Sequence, residues 1–350
     1  MSVENKNIII VGGGLAGICV AIQLIKSGAK ITLYDKEENH SSIVAGGIIN
    51  PLVFRRMTKS WRVDAFLPYL KSFYGELEKE TNTSFLNPLP IRRLFSSIQE
   101  RDFWLEKQDQ EEFKRYMFPI NQKDSDYKVS LNEFGSGRVN NSYAVQVETF
   151  MDSGKQWIKL NEGEIISENF DYSCVESNAY KGLPFDDIIF CEGFESKNNP
   201  WFGELPLDQT KGQTLTVHSN ELPTDVSLNR KCFVLPLTGN TFKIGSTYEW
   251  HNASTNITNE AKVELLNNLT YITKEKVEVV SQEAGIRPTT RDRRPLIGTH
   301  PDFSNYHIFN GLGAKGYMLA PLLSSEFVTY LSNDADLDKE VNVLRYFNKD

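Results

Sequence analysis

One stretch constrains the fold more than any other: Asn7-Ile-Ile-Ile-Val-Gly-Gly-Gly-Leu-Ala-Gly-Ile18, running on to Tyr34-Asp35. The apolar run Ile8 to Val11 reads as a strand buried on both faces, as in a parallel sheet. It meets Gly12-x-Gly14-x-x-Gly17, and Ile18 to Lys26 reads as a helix. A second apolar strand, Ile31 to Tyr34, ends at Asp35. Strand, glycine turn, helix, strand and acid together form the dinucleotide-binding fingerprint in its required context. Gly12 allows the tight turn. Gly14 lets backbone approach a pyrophosphate, and Gly17 lets helix and strand pack closely. The helix start offers free N–H groups and the positive end of its dipole to phosphate. Asp35 can accept hydrogen bonds from a ribose 2′- and 3′-OH. Leu15, Ala16 and Lys36 belong to the same predicted site. The expected ligand is an adenine dinucleotide; the alternative is a Gly-rich turn in a domain without a cofactor.

A chain of 350 residues is long enough for two domains. Its 40% hydrophobic and 24% charged content is that of an ordinary globular protein. A net charge of −8 gives no global pull toward nucleic acid or anionic membrane. Cys19, Cys174, Cys191 and Cys232 are scattered without a CxxC pair, so neither zinc nor a disulfide framework is expected. Residues 1–7 are polar, no signal-type segment follows, and the run at Ile8 is too short to span a bilayer. Triplets such as Asn252-Ala-Ser254 read as chance in an Asn-rich chain. The cytoplasm is the expected compartment.

No internal repeat or low-complexity linker divides the chain. Val63 to Glu80 has apolar residues at helical spacing. Residues 85–140 are polar and aromatic, with a turn-rich Glu133-Phe-Gly-Ser-Gly-Arg138. A helix is predicted around Thr149–Lys159, and an apolar strand ends in a turn at Cys191-Glu192-Gly193. Gly212–His218, Lys231–Leu235 and Thr241–Gly245 read as antiparallel strands, the last two a hairpin through Thr238-Gly-Asn240. A helix, Glu260 to Leu269, precedes Ala284-Gly-Ile-Arg-Pro288. A strand, Tyr306 to Phe309, then enters Asn310-Gly-Leu-Gly-Ala-Lys-Gly316, and a helix runs from Tyr317 to Leu331. The fold class is α/β: a Rossmann-like cofactor domain (1–84, 141–211 and 282–350) interleaved with an α+β substrate domain on an antiparallel sheet (85–140 and 212–281).

Gly311-x-Gly313-x-x-Gly316 is a second strand–loop–helix unit. Its backbone N–H groups can face the edge of a flavin ring that becomes negative on reduction, and Lys315 can add a full positive charge. A helix-capping loop with a solvated lysine fits the spacing equally well. The whole set of motifs resembles the D-amino-acid-oxidase-like family of FAD-dependent oxidoreductases. The marks are Val11-Gly-Gly-Gly-Leu-Ala-Gly17, Ser42-Ile-Val-Ala-Gly-Gly47, Ile189-Phe-Cys-Glu-Gly193, Lys211-Gly-Gln213, Val234-Leu-Pro236, Ile244-Gly-Ser-Thr247, Gly285-Ile-Arg-Pro-Thr-Thr-Arg-Asp292 with Pro295-Leu-Ile-Gly298, and Gly313-Ala-Lys-Gly-Tyr-Met-Leu-Ala-Pro321. Within the family the chain is most similar to glycine/sarcosine oxidases, and to the FAD domain of enzymes that oxidatively remove a carboxymethyl group from a tRNA wobble uridine.

The resemblance implies non-covalent FAD. It implies that Ala45, Gly46 and Gly47 pass the flavin ring, that Phe170 lies on a strand touching the adenine, and that Cys191, Glu192, Gly193, Gly311, Gly313, Ala314, Lys315, Gly316, Tyr317 and Met318 complete the cofactor site. Cys191-Glu192-Gly193 departs from the family's usual Ala-Thr/Ala-Gly, and Phe233 stands where glycine oxidases tend to carry Tyr.

Oxidising an amine beside a carboxylate needs a bidentate anchor and a neutral amine. Arg287 is the candidate anchor, held extended at a strand end by Pro288; a structural pairing with Asp292 or Glu283 is the alternative. Tyr248, after the Ile244-Gly-Ser-Thr strand, is a candidate pocket residue or, equally, a half-exposed strand aromatic; with Arg287 and Lys315 it forms the predicted catalytic set. His218 and His251 receive no role. The basic clusters Arg55–Arg62 and Arg287–Arg294 read as solvated faces or as neutralising phosphate and substrate; an RNA-contacting surface is the sharper alternative. Three functions follow: oxidation of a small carboxylate-bearing amine with oxygen or a quinone as acceptor, the same C–N chemistry directed at tRNA, or a non-catalytic flavin carrier.

Overall fold

The computed structural model describes residues 2–38, 41–120 and 130–347. Part of the polar stretch expected over 85–140, residues 121–129, therefore lies outside the described residues. The elements that frame the site are, in chain order, β1 (Asn7–Val11), α1 (Leu15–Lys26), β2 (Lys30–Tyr34), β3 (Asp187–Phe190), β4 (Leu207–His218), β5 (Ser227–Asn229), β6 (Phe233–Pro236), β7 (Thr241–Gly245), β8 (Glu278–Thr290), β9 (Tyr306–Asn310) and α2 (Gly316–Leu331).

The first sheet runs Glu164–Ile166, β2, β1, β3, β9, with Leu296–Thr299 antiparallel at the edge. The other neighbours are parallel. β3 and β9 are buried along their whole length, as the continuous apolar runs require. Helices α1 and α2 pack on each other, joined by Val63–Thr81 and Val147–Leu160. β2 and β3 flank β1 on opposite sides, so the chain reverses its direction of travel there. Such a switch point opens a crevice at the carboxyl ends of the strands.

The second sheet has eight strands, in the order Glu249–Trp250, β4, β7, β6, β5, Ile91–Leu94, Ser136–Val139, with β8 paired to β4. The α/β class with parallel and antiparallel layers is thus the observed one. Three local expectations need correction. Ser136–Val139 is a strand, so the polar segment ending at Arg138 is only half turn. The first hairpin strand is β6, starting at Phe233, with Lys231 and Cys232 in the preceding bend. β8 runs on through Arg287 to Thr290, so Arg287 sits inside a long strand rather than at its end. Pro288 is tolerated there because β8 pairs with β4 alone and so is an edge strand.

Candidate active site

A continuous cavity of about 460 Å³ lies over the carboxyl ends of β1, β2 and β3 and extends between the two sheets. Its floor begins at the Gly12 turn. Gly12 has φ +103°, and a Cβ there would meet the Cys191 carbonyl oxygen at 2.6 Å. A Cβ on Gly17 would stand 1.9 Å from the Gly12 carbonyl oxygen, so α1 can close on the turn only with glycine. Gly17 serves packing and does not line the cavity; Gly12, Gly14, Leu15 and Ala16 do. The first helical N–H, on Leu15, donates to Ser42 Oγ at 3.0 Å.

The strand-end acid Asp35 is 3% exposed and lines the cavity. Its carboxylate is held by Lys155 at 2.9 Å and accepts the Glu37 N–H at 3.3 Å. Lys155, on the helix Val147–Leu160, was not signalled by any motif. Lys36 pairs with Glu195 across the cavity mouth at 2.5 Å. Phe170 lines the cavity, but from the loop after Glu164–Ile166 rather than from a strand; it stacks on Tyr180 with centroids 4.2 Å apart.

Cys191, Glu192 and Gly193 follow β3 into the cavity wall. Glu192 is bonded by the Tyr172 hydroxyl and by Asn199 Nδ2 at 2.8 Å. Burial pushes its carboxyl up to about 7, with Glu195 adding in the same direction against those two hydrogen bonds. The folded chain therefore holds a proton there that the unfolded chain has already lost above the ordinary carboxyl range. Stability of the cofactor-free protein should fall as pH rises from about 4.5 toward 7. Glu192→Gln should flatten that slope in thermal unfolding followed against pH; an unchanged slope would remove Glu192 as its source.

The second glycine loop forms the far wall. Gly313, Ala314, Lys315, Gly316, Tyr317 and Met318 line the cavity, and Gly311 does not. Gly311 instead sits against Thr290, Pro295 and Leu296 at φ +75°. Asn310, unremarked in the sequence, ties the loop to the first half of the site: its Nδ2 donates to the Gly193 carbonyl at 2.8 Å. Tyr317 donates to the Ser42 carbonyl at 2.8 Å. Lys315 donates to Ser60 Oγ, and burial pulls its ammonium down to about 8. It is thus a half-buried cation facing the cavity, not a freely solvated one.

Ala45, Gly46 and Gly47 pass along the cavity, with the Phe233 ring against Gly46. Arg287 leans over Gly212, where a Cβ would lie 2.1 Å from its guanidinium nitrogen. It donates to Ser246 Oγ at 2.6 Å. Burial lowers its pKa. Neither suspected structural partner holds it: Asp292 pairs with Arg345 at 3.1 Å, and Glu283 with Lys243 at 3.2 Å. Tyr248 is 49% exposed, outside the cavity lining, with its ring 4.5 Å from the Arg287 guanidinium carbon. It covers Arg287 and does not face the pocket.

Charge is divided along the cavity. The lining acids Asp35, Glu38, Glu168, Glu192 and Glu195 cluster around β2 and β3, whereas Arg287 and Lys315 line the opposite end without an acid among the described residues there. The two basic clusters meet around Trp61, where one arginine of each is paired with an acid. Arg62 binds Glu326, Arg294 binds Glu340 at 2.8 Å, and the Arg294 guanidinium stacks 4.6 Å from Trp61. Among the described residues no group of His, Cys, Asp and Glu is placed to hold a metal ion, and no helix is long and apolar enough to cross a membrane.

A parallel sheet with its glycine turn at the switch point, a second glycine loop and a cation-lined far end define a dinucleotide-binding oxidoreductase. The chain belongs to the DAO family, FAD dependent oxidoreductase, whose model matches residues 7–330. It is 24% identical to an uncharacterized oxidoreductase, YurR, of Bacillus subtilis (strain 168), over 95% of this chain and 97% of that protein. It is 22% identical to the tRNA 5-methylaminomethyl-2-thiouridine biosynthesis bifunctional protein MnmC of Campylobacter jejuni subsp. doylei, covering 87% of this chain but only 48% of that relative. Its fold is similar to that of glycine oxidase from Bacillus cereus ATCC 14579, with a TM-score of 0.79 at 18% identity over 95% of this chain and 96% of the other. The residues present fit FAD: backbone at Gly193 and Gly313 borders the cavity with no atom within 4 Å of where a Cβ would stand, leaving bare N–H and Cα for a large planar and phosphorylated ligand.

Proposed function

We propose that this chain oxidises the C–N bond of a small amine or amino acid that carries a carboxylate, using non-covalent FAD. One observation carries the reading: a half-buried arginine in the cavity wall, Arg287, with no acidic partner among the described residues. A guanidinium so placed is satisfied by a substrate carboxylate, which it grips with two parallel hydrogen bonds. Ser246 and the Tyr248 ring fix its orientation. Phe233 and Gly46 bound the space beside it and exclude water. The lack of an acid at this end disfavours the ammonium form of the substrate and releases its proton before reaction.

Bound FAD supplies the hydride-accepting, two-electron chemistry. Loss of hydride from the carbon bearing the neutral amine leaves an imine, and water hydrolyses it to a carbonyl and a free amine. The Gly313–Tyr317 loop would hold the ring edge that gains charge, and Lys315 would keep a positive charge beside it. That charge is present below about pH 8 and lost above it. The flavin reduction rate should therefore decline as pH rises through about 8. Lys315→Met should abolish this limb and slow reduction about tenfold to a hundredfold at neutral pH; a preserved limb in stopped-flow traces would exclude Lys315.

The direct test is anaerobic mixing of the FAD-loaded protein with a panel of N-substituted glycines and amino acids. Bleaching of the oxidised flavin band is the expected result, and no bleaching across the panel would overturn the reading. Release of all flavin into the supernatant on acid precipitation checks the non-covalent link. Similarity to MnmC supports a second reading, in which the amine is borne by tRNA. Salt-dependent tRNA binding would favour it. Pairing of Arg62 with Glu326 and of Arg294 with Glu340 takes those two cations out of an RNA-contacting surface and supports the small-molecule reading instead.

A further inference from the structure

Two asparagine amides in the cavity wall have no task in the reaction so far. The Asn50 Oδ1 accepts the Leu52 N–H at 2.9 Å, and the Asn229 Oδ1 accepts from the Arg93 guanidinium at 2.8 Å. Both partners are donors only, so neither amide can flip without losing its bond. Each Nδ2 is thereby turned away from its anchor, and neither has a protein partner among the described residues. Both residues line the cavity.

Supporting contacts hold these amides in place. Arg93 is 8% exposed and is fixed by Glu100, through Nε at 2.8 Å and a terminal nitrogen at 2.7 Å, and by the Arg230 carbonyl at 2.7 Å. A buried arginine held by a carboxylate and a backbone carbonyl is a rigid mount for Asn229. The Asn50 carbonyl accepts from Ser60 Oγ at 3.0 Å, and Ser60 in turn receives Lys315. The Arg93 guanidinium lies 5.1 Å from the Phe54 ring, which brings the Asn229 mount against the segment that carries Asn50. The two amides therefore share one end of the pocket.

Arg287 marks the other end. Residues Thr214, Gly245, Phe233 and Asn229 stand in one row across β4, β7, β6 and β5. Three interstrand steps separate the β4 and β5 backbones, about 14 Å. Arg287 overhangs Gly212 on β4 and donates to Ser246 just beyond β7, so its guanidinium faces the cavity from the β4 side of this row and the asparagines from the β5 side. Glycine and N-methylglycine carry one carboxylate and offer nothing for the two amides to bind.

We infer that the preferred substrate carries a second hydrogen-bond acceptor, a carbonyl or carboxylate a few atoms beyond its amine, which Asn50 and Asn229 bind while Arg287 holds the first carboxylate. This rests on the proposed oxidation of carboxylated amines and narrows its substrate class.

The test compares anaerobic flavin reduction by N-(2-carbamoylethyl)glycine with reduction by its apolar isostere, N-(3-methylbutyl)glycine, in the FAD-loaded protein. The ratio of the two kcat/KM values should favour the carbamoyl compound about tenfold or more, because the isostere covers the two amide donors without pairing them. Asn229→Leu keeps the size but offers the carbamoyl group neither donor nor acceptor, and should bring that ratio to one or below. Asn50→Ala should reduce it about tenfold. Flavin content and thermal midpoint establish that each variant is folded. Reduction by both compounds at equal kcat/KM overturns the inference and leaves the amine-oxidation reading standing. Spectral perturbation of the flavin by the carbamoyl compound alone, without reduction by any amine, overturns that reading and leaves the acceptor subsite standing.

Discussion

Replacing Arg287 by alanine is expected to lower kcat/KM for carboxylated amines about 10²- to 10⁴-fold, with FAD content unchanged. The magnitude is that of removing one partner of a buried, hydrogen-bonded charge pair, about 2–5 kcal/mol. Arg287 is not bonded to anything that builds the cofactor site; its contacts are Ser246, the Thr247 carbonyl and the Tyr248 ring. Arg287→Lys should recover little, because a point-charge ammonium cannot reproduce the planar fork. Gly212→Ala should act on the same step from the other side: the added Cβ falls 2.1 Å from the guanidinium and must push it aside while leaving the charge in place. An amine without a carboxylate should be insensitive to all three changes. Rates of flavin reduction at varied substrate concentration decide the matter, and equal losses for carboxylated and uncarboxylated amines would remove Arg287 from its role.

The cofactor half of the site was legible in sequence because its constraints are local. A turn that must reverse between two buried strands requires glycine at fixed spacing, and Gly12, Gly14 and Gly17 declare it. The α/β class followed from apolar runs alternating with helical periods. The substrate half is built from residues distant in sequence, brought together by the order of strands in the second sheet. Arg287 was visible through family resemblance, but its freedom from Asp292 and Glu283 was not, since each acid takes a partner that only the folded chain supplies. Asn50, Asn229 and Asn310 are lone asparagines in a chain rich in them, and no spacing marks one that lines a cavity. Lys155 is hidden for the same reason: it looks like any exposed helix lysine until the helix is laid beside β2. For Tyr248 the sequence left a pocket residue and a half-exposed aromatic equally open; β4 pairs with Glu249–Trp250 and the ring lies half exposed over Arg287.

Gly17→Ala should be the most damaging single methyl group in the chain. Its Cβ would lie 1.9 Å from the Gly12 carbonyl oxygen, and backbone, unlike a long side chain, cannot swing clear. Either α1 lifts from β1 or the turn at Gly12 deforms, and both routes spoil the surface proposed to meet the diphosphate. Overpacking of this kind costs about 1–3 kcal/mol of stability. The loss of FAD affinity should be larger, about a hundredfold or more, because the helix start and the turn must both be in place for phosphate to bind. Gly75→Ala supplies the contrast. It lies exposed in the helix Val63–Thr81 with nothing within 4 Å of its added Cβ, so the gain in helix propensity, about 0.5–1 kcal/mol, should stabilise the protein. Chemically identical substitutions thus carry opposite expected signs. Calorimetry and titration of the cofactor-free protein with FAD measure both: tight FAD binding by Gly17→Ala would show that the first glycine turn is not where the diphosphate rests.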